Sequence, residues 1–314
     1  MKWLKLKYKS GNDFYKNITI KLYYQYINVI LGLVLYQIIK MELFFEFESG
    51  KIHFSDQGAG ETILLLHGYL ETSEIWSNFA HKLATKFRII TVDLPGHGNS
   101  DIYGESHSME FMATILKGVI NSLNIKRVFL TGHSLGGYVT LAFAELFPEM
   151  LSGYCLFHSH PFADSEEILE KRRKEINLVL AAGKDLLYPE SVKKMYASVN
   201  LEKFSNALKQ SMRIASSVSG EGITGVLRGM MTRPSRIAVM EEGTVPCLWI
   251  LGAMDNYINC ELIQTRVRLP QNAKVVVLNN SGHMGFIEEE ELSLKVIESF
   301  MKKLTRPHAL PTET

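Results

Sequence analysis

Residues 132–136 read Gly-His-Ser-Leu-Gly, between a strand-like run, Arg127-Val-Phe-Leu-Thr131, and a helix-like run from Leu135 to Phe147 that stops at Pro148. A G-x-S-x-G string alone arises by chance in roughly one chain in ten of this length, so the flanking pattern supplies the specificity. A serine on a sharp strand-to-helix turn is lifted clear of the sheet with its hydroxyl exposed. The turn strains the serine backbone and needs neighbours without side chains, which Gly132 and Gly136 supply. The helix that follows points its free N–H groups at developing negative charge.

The rest of the chain from Met41 has the matching rhythm. Strand candidates are Leu43–Glu48, Lys51–Ser55, Thr62–Leu66, Arg88–Val92, Arg127–Thr131, Gly153–Phe157, Cys247–Leu251 and Lys274–Leu278. Several are continuous apolar runs, as in a sheet covered on both faces. Helical stretches lie between them, notably Ser73–Thr85, Met109–Leu123, Leu135–Phe147, Cys260–Val267 and Glu288–Lys303. The alternation predicts an α/β fold, a mostly parallel eight-stranded sheet flanked by helices. From Pro161 to about Ser235 no strand pattern appears. Four helical patterns fill the gap, Glu166–Ala182, Pro189–Val199, Leu201–Ser216 and Gly222–Met231, and read as a helical insertion after the sixth strand.

A serine hydroxyl is a poor nucleophile at neutral pH and needs a histidine to take its proton and an acid to orient that histidine. On a strand–turn–helix elbow the chain order is serine, acid, histidine. Asp255, after Cys247–Leu251, and His283, after Lys274–Leu278, stand where that order requires, behind Ser134. An oxyanion hole needs two backbone N–H groups; those of Leu135, next to the serine, and Tyr69, in the loop His67-Gly68-Tyr69, are expected to supply it.

Four segments carry a resemblance to a known family: Leu66-His-Gly-Tyr69, Asp93-Leu-Pro-Gly-His-Gly-Asn-Ser100, Gly132-His-Ser-Leu-Gly-Gly137 and Ser281-Gly-His-Met284. Together they resemble the serine-nucleophile, capped branch of the α/β-hydrolase superfamily, over about residues 42–303, with the insertion where the family carries its cap. The resemblance implies neither a metal nor an organic cofactor. Haloalkane dehalogenases and epoxide hydrolases use an aspartate nucleophile, and the serine at 134 speaks against both activities.

Other residues read more plainly. The triplet His158-Ser-His160 has no HExxH-type partner and reads as structural, as do His97 and His133 in their turns. Asp93 is expected to pin the Gly96–Gly98 turn, and Asp164 is a weaker rival to Asp255. Lys171-Arg-Arg-Lys174 is flanked by glutamates at helical spacing and reads as a solvated face. Cys155, Cys247 and Cys260 form no CxxC pair, so a disulfide framework and a cysteine-rich zinc site are not expected. Cys155 and Cys247 lie in apolar runs and read as reduced core residues of a cytoplasmic protein. A net charge of +1 gives no footprint for nucleic acid.

Residues 1–40 stand apart. They hold seven lysines and one aspartate, six of the thirteen tyrosines, and no Ala, Pro or Arg. One reading makes Met41 the start of the protein, with 1–40 as upstream sequence read in frame. A second is a membrane-associated helix: Ile27–Ile39 is apolar and preceded by lysines, but its 13 residues fall short of the roughly 20 a spanning helix needs. A third is a helix lying on the domain. Any membrane contact is therefore expected only through this segment. The organisation expected is an extension 1–40, a core of 41–160 and 236–306, a cap of 161–235 and a tail of 307–314.

The function expected is hydrolysis of small esters or thioesters with apolar acyl groups through an acyl-enzyme on Ser134. Met195, Tyr196, Phe204, Met212, Met230 and Met231 of the cap, with His67 beside the site, are the candidates to touch substrate. The alternatives are hydrolysis of a carbon–carbon bond by the same three residues, or a ligand-binding protein on the same fold with little turnover.

Overall fold

The computed structural model of the protein describes residues 43–304. The readings of residues 1–40 and of the tail 307–314 lie outside these. The strands are β1 Leu43–Phe47, β2 Gly50–Gly58, β3 Thr62–Leu66, β4 Arg88–Val92, β5 Val128–His133, β6 Leu151–Phe157, β7 Cys247–Gly252 and β8 Ala273–Leu278. They form one sheet in the order β1-β2-β4-β3-β5-β6-β7-β8. β1 and β2 run antiparallel to their neighbours and all other pairs are parallel. The apolar runs sit where both faces are covered: every residue of β3, β5 and β7 is buried. β8 reads as apolar in sequence, yet Ala273–Val277 are only half-buried, because β8 is an edge strand.

The helices of the core are α1 Ser77–Leu83, α2 Met109–Ser122 and α3 Leu135–Leu146. Between β6 and β7 follow α4 Glu166–Ala182, α5 Tyr188–Met195, α6 Ser205–Ser217, α7 Gly220–Met231 and α8 Ile237–Glu242. After β7 come α9 Cys260–Gln264, α10 Gly285–Glu288 and α11 Glu290–Leu304. Their starts are set locally. Ser108 caps α2 by accepting the Phe111 N–H at 3.1 Å, and Ser219 caps α7 by accepting the Gly222 N–H at 2.9 Å. α1 packs with α11 and α2 with α3, over a core that includes Trp76, Phe79, Phe129, Phe143, Phe157, Trp249 and Phe286.

The helices between β6 and β7 form two pairs, α4 with α7 and α5 with α6. α7 lies close on the loop after β4. A Cβ at Gly222 would overlap Gly96 O, and one at Gly229 would overlap His107 O, so these helical glycines are required by the approach. The His107 N–H donates to Gly225 O at 3.0 Å, fixing the same contact. Among the described residues no helix is long and apolar enough to cross a membrane.

Candidate active site

Ser134 stands between β5 and α3 at φ 47° and ψ −111°, a left-handed conformation that a side chain rarely adopts. Close packing of α3 against the sheet holds it there. A Cβ on Gly136 would come within 2.7 Å of Leu66 O, and one on Gly132 would overlap Gly136 O. The Ser134 N–H donates to Phe157 O at 3.0 Å, and its carbonyl accepts from Ser159 Oγ at 2.8 Å.

Asp255 and His283 meet beyond the ends of β7 and β8. His283 Nδ1–H donates to Asp255 Oδ2 at 2.7 Å, with both side chains nearly fully buried. The other oxygen, Oδ1, accepts the N–H groups of Tyr257 at 2.8 Å and Ile258 at 3.1 Å, an aspartate turn closed by its own side chain. Burial alone would raise the Asp255 carboxyl, but the imidazoles of His283 and His158 outweigh it and hold it far below the usual carboxylate range. Burial disfavours a charged His283, yet the charge and hydrogen bond of Asp255, with Glu71 and Glu288 further off, prevail and raise its pKa.

The residue before the serine joins the two halves of the site. His133, fully buried, has Nδ1 2.8 Å from Glu71 Oε2 and donates from Nε2 to His283 O at 2.8 Å. Its ring centroid lies 4.9 Å from that of His283. Glu71 Oε2 also accepts the Gly68 N–H at 2.5 Å, so one carboxylate ties the 67–71 loop to the serine turn. Burial works against the Glu71 anion, but His133 and the Gly68 N–H bring its pKa below the ordinary value. With the Gly68 N–H committed, the N–H of Tyr69 is the next donor along that loop, and among the described residues no protein acceptor takes it. Leu135 opens α3, so its N–H belongs to the first helical turn, where donors have no partner within the helix.

The helices after β6 reach this edge. The His283 N–H donates to Met195 O at 2.7 Å, the Tyr257 hydroxyl donates to Ser191 O at 2.7 Å, and Asn256 Nδ2 donates to Lys194 O at 2.9 Å. Buried Glu288 accepts from the N–H groups of Ala197 and Gly282, both at 2.9 Å, and from Asn200 Nδ2 at 2.8 Å.

The structure places the remaining sequence candidates as follows. His67 is not placed to bind substrate: it is fully buried, its Nδ1–H donates to Gly68 O at 2.8 Å, and its Nε2 accepts the Leu94 N–H at 2.9 Å. Met195, Tyr196 and Met230 are buried in the core, and the Tyr196 hydroxyl bonds Ser211 Oγ at 2.8 Å. Phe204, Met212 and Met231 are half-buried and remain the apolar candidates. Asp164 makes ion pairs with Arg172 at 2.6 Å and Arg233 at 2.7 Å, and so is engaged by guanidinium groups rather than by an imidazole. The basic run is accordingly divided: Lys171, Arg173 and Lys174 are exposed or half-exposed, but Arg172 turns inward. Asp93 does pin its turn, accepting the Asn99 N–H at 3.0 Å and His53 Nδ1–H at 2.7 Å.

Sequence reasoning missed Glu71, Tyr257 and Glu288, and read His158 only as structural. Of the three missed, only Tyr257 left a local signal, the turn-forming Asp255-Asn256 just before it. His158, Asp255 and His283 converge closely enough to suggest a metal. His158 Nε2, however, accepts the Gly285 N–H at 3.1 Å, so a neutral ring carries its proton on the nitrogen facing Asp255 and offers no lone pair there.

The family model described as alpha/beta hydrolase fold matches residues 61–290. A putative 2-succinyl-6-hydroxy-2,4-cyclohexadiene-1-carboxylate synthase of Bacillus subtilis is 25% identical over 262 residues, covering 80% of this chain and 94% of that protein. A 2-hydroxy-6-oxononadienedioate/2-hydroxy-6-oxononatrienedioate hydrolase of Paraburkholderia phymatum is 27% identical over 267 residues, covering 80% and 91%. Among solved structures, a thermophilic esterase from Thermogutta terrifontis superposes with a TM-score of 0.80 at 25% identity, over 85% of this chain and all of that one. With most of its length matched by that family model, and with the sheet order and serine turn described above, this chain belongs to the alpha/beta hydrolase fold family.

Proposed function

We propose that the protein is a serine hydrolase in which Ser134 attacks an acyl carbon, His283 takes and returns the proton, and Asp255 orients His283. The observation that carries this reading is the 2.7 Å bond from His283 Nδ1 to Asp255, at the same sheet edge as a serine held at φ 47°. That bond fixes the tautomer and leaves Nε2 as the base. The N–H groups of Tyr69 and Leu135 take the oxyanion. The acyl-enzyme is then hydrolysed by water that His283 activates. The helices 161–235 act as a cap, and their half-buried Phe204, Met212 and Met231 favour uncharged acyl chains of small esters or thioesters.

Carbon–carbon bond hydrolysis is the second reading. It is favoured by the likeness to the hydrolase of Paraburkholderia phymatum, which covers 91% of that protein. A panel of p-nitrophenyl esters of increasing acyl length, acyl thioesters and a dienoate with a cleavable carbon–carbon bond separates the two. The ester reading expects multiple turnovers on short to medium acyl esters and none on the dienoate. Turnover of the dienoate alone replaces it with the second reading, and binding without turnover of either class contradicts both.

A further inference from the structure

The end of β6 lies against Ser134, Asp255 and His283. Phe157 O holds the Ser134 N–H, Ser159 Oγ donates to Ser134 O, and His158 lies between them. His158 is fully buried at φ 47°, with its own N–H donated to Ile250 O at 2.8 Å. A non-glycine residue held at positive φ is strained and persists only where its surroundings fix it. The surroundings here are specific. The ring fills a slot between two glycines: a Cβ at Gly252 would come within 2.8 Å of its Cε1, and one at Gly285 would overlap its Nε2.

The proton on this ring can be placed. A backbone N–H can only donate, so the 3.1 Å bond from Gly285 makes Nε2 the acceptor and leaves the hydrogen on Nδ1. Nδ1 lies 3.4 Å from Asp255 Oδ2 and has no hydrogen-bond partner of its own. The separation is long for a hydrogen bond, but between fully buried groups a dipole is little screened. Burial pushes the His158 ring down to about 4, so it stays neutral at working pH.

We propose that His158 is a positioning residue whose Nδ1–H shares the Asp255 carboxylate with His283 and thereby limits how tightly Asp255 holds the imidazolium of His283. The inference rests on the serine-hydrolase reading. The charged and titratable groups facing His283 are Asp255, His133, His158 and Tyr257, with Glu71 and Glu288 further away. Those facing His158 are Asp255, His133 and His283. Replacing the neutral His158 changes the charge of none of them. Removing its N–H leaves the carboxylate less satisfied, so the imidazolium of His283 gains and its pKa rises. The acid limb of kcat/KM must then move to higher pH.

Two measurements test this. Nitrogen-15 NMR of the unsubstituted protein at pH 7 should show His158 as the neutral Nδ1–H tautomer; the Nε2–H tautomer would overturn the proposal. Hydrolysis of p-nitrophenyl acetate across pH is then compared for the parent, His158→Phe, which keeps the shape of the ring, and His158→Gly, which accepts the backbone. The expected result is an upward move of the acid limb by about half a pH unit or more, with KM little changed. A folded variant whose rate falls while the acid limb stays put has only a packing defect, and that outcome rejects the inference. Where neither variant folds, the tautomer decides. Ser134→Ala retaining parental hydrolysis would instead reject the serine-hydrolase reading itself, independently of His158.

Discussion

Ser134 shows how far a single residue depends on contacts distant in sequence. Its φ of 47° is held by Gly132 and Gly136 beside it, which the local string announces, and by Phe157 and Ser159 more than twenty residues away, which it does not. Asp255 and His283 are legible for the same local reason, each following an apolar strand at the right place in the order. Glu71 and His158 are not, because their meaning lies in partners 62 and 97 residues distant, His133 and Asp255. At this scale Asp255→Asn is expected to fold and to lower kcat by up to about 10⁴, since the tautomer of His283 is no longer fixed. Circular dichroism and steady-state kinetics check it, and a variant within tenfold of the parent contradicts the role given to Asp255. The raised pKa of His283 makes a second prediction. A base must be neutral, so kcat/KM should rise with pH through an apparent pKa above the ordinary histidine value of about 6.5. An acid limb well below that value speaks against His283 as the base.

At the scale of elements, the period-two and period-3.6 patterns placed the strands and most helices to within a few residues, including α4 at Glu166–Ala182. The departures have physical causes. α8 is only six residues long, too short for a helical period to show. The pattern at Leu201–Ser216 starts late, at Ser205, and Pro189–Val199 breaks at Tyr196, whose extended backbone carries the chain past the His283 loop. The glycines of α7 read as poor helix formers in sequence, and the structure gives them a use against the loop at Gly96 and His107. This yields a test in which two effects oppose each other. Gly229→Ala should gain about 1 kcal/mol in helix propensity, but its methyl group would overlap His107 O, and overpacking costs about 1–3 kcal/mol. Because that contact is backbone, the steric term should win and Tm should fall. A raised Tm would show that α7 is free to move off the loop. If the helices 161–235 cap the site as proposed, log(kcat/KM) should rise by about 0.6 per acyl methylene, the equivalent of about 0.8 kcal/mol, and then drop, and Met212→Trp should bring the drop to shorter chains.

For the whole molecule, the alternation of strands and helices was enough to fix the fold class, whereas the polar architecture of the interior had no signature. Among the described residues burial holds His97 and His160 down to about 3, and His107 and His158 down to about 4. Each has a depressed folded pKa, so the unfolded chain binds more protons between those values and about 6.5. Their contribution is present above about 6.5 and is lost as pH falls through the folded values. The lowered carboxyls of Asp93, at about 2, and of Glu71 and Asp164 act in the same direction at still lower pH. The raised pKa values of His283 and of half-buried Glu175 act oppositely, but they are two groups against several. Tm should therefore fall steeply on acidification below about pH 6, as calorimetry across pH would read, and a flat Tm down to pH 4 would contradict neutral buried histidines.

The central claim is that Ser134 carries the acyl group. Treatment with a fluorophosphonate, followed by peptide mass mapping, tests it without knowledge of the natural substrate. The account predicts a single phosphonyl adduct on the peptide containing Ser134, loss of hydrolysis in step with labelling, and no adduct on Ser134→Ala. An adduct on another residue, or equal labelling of Ser134→Ala, would contradict it.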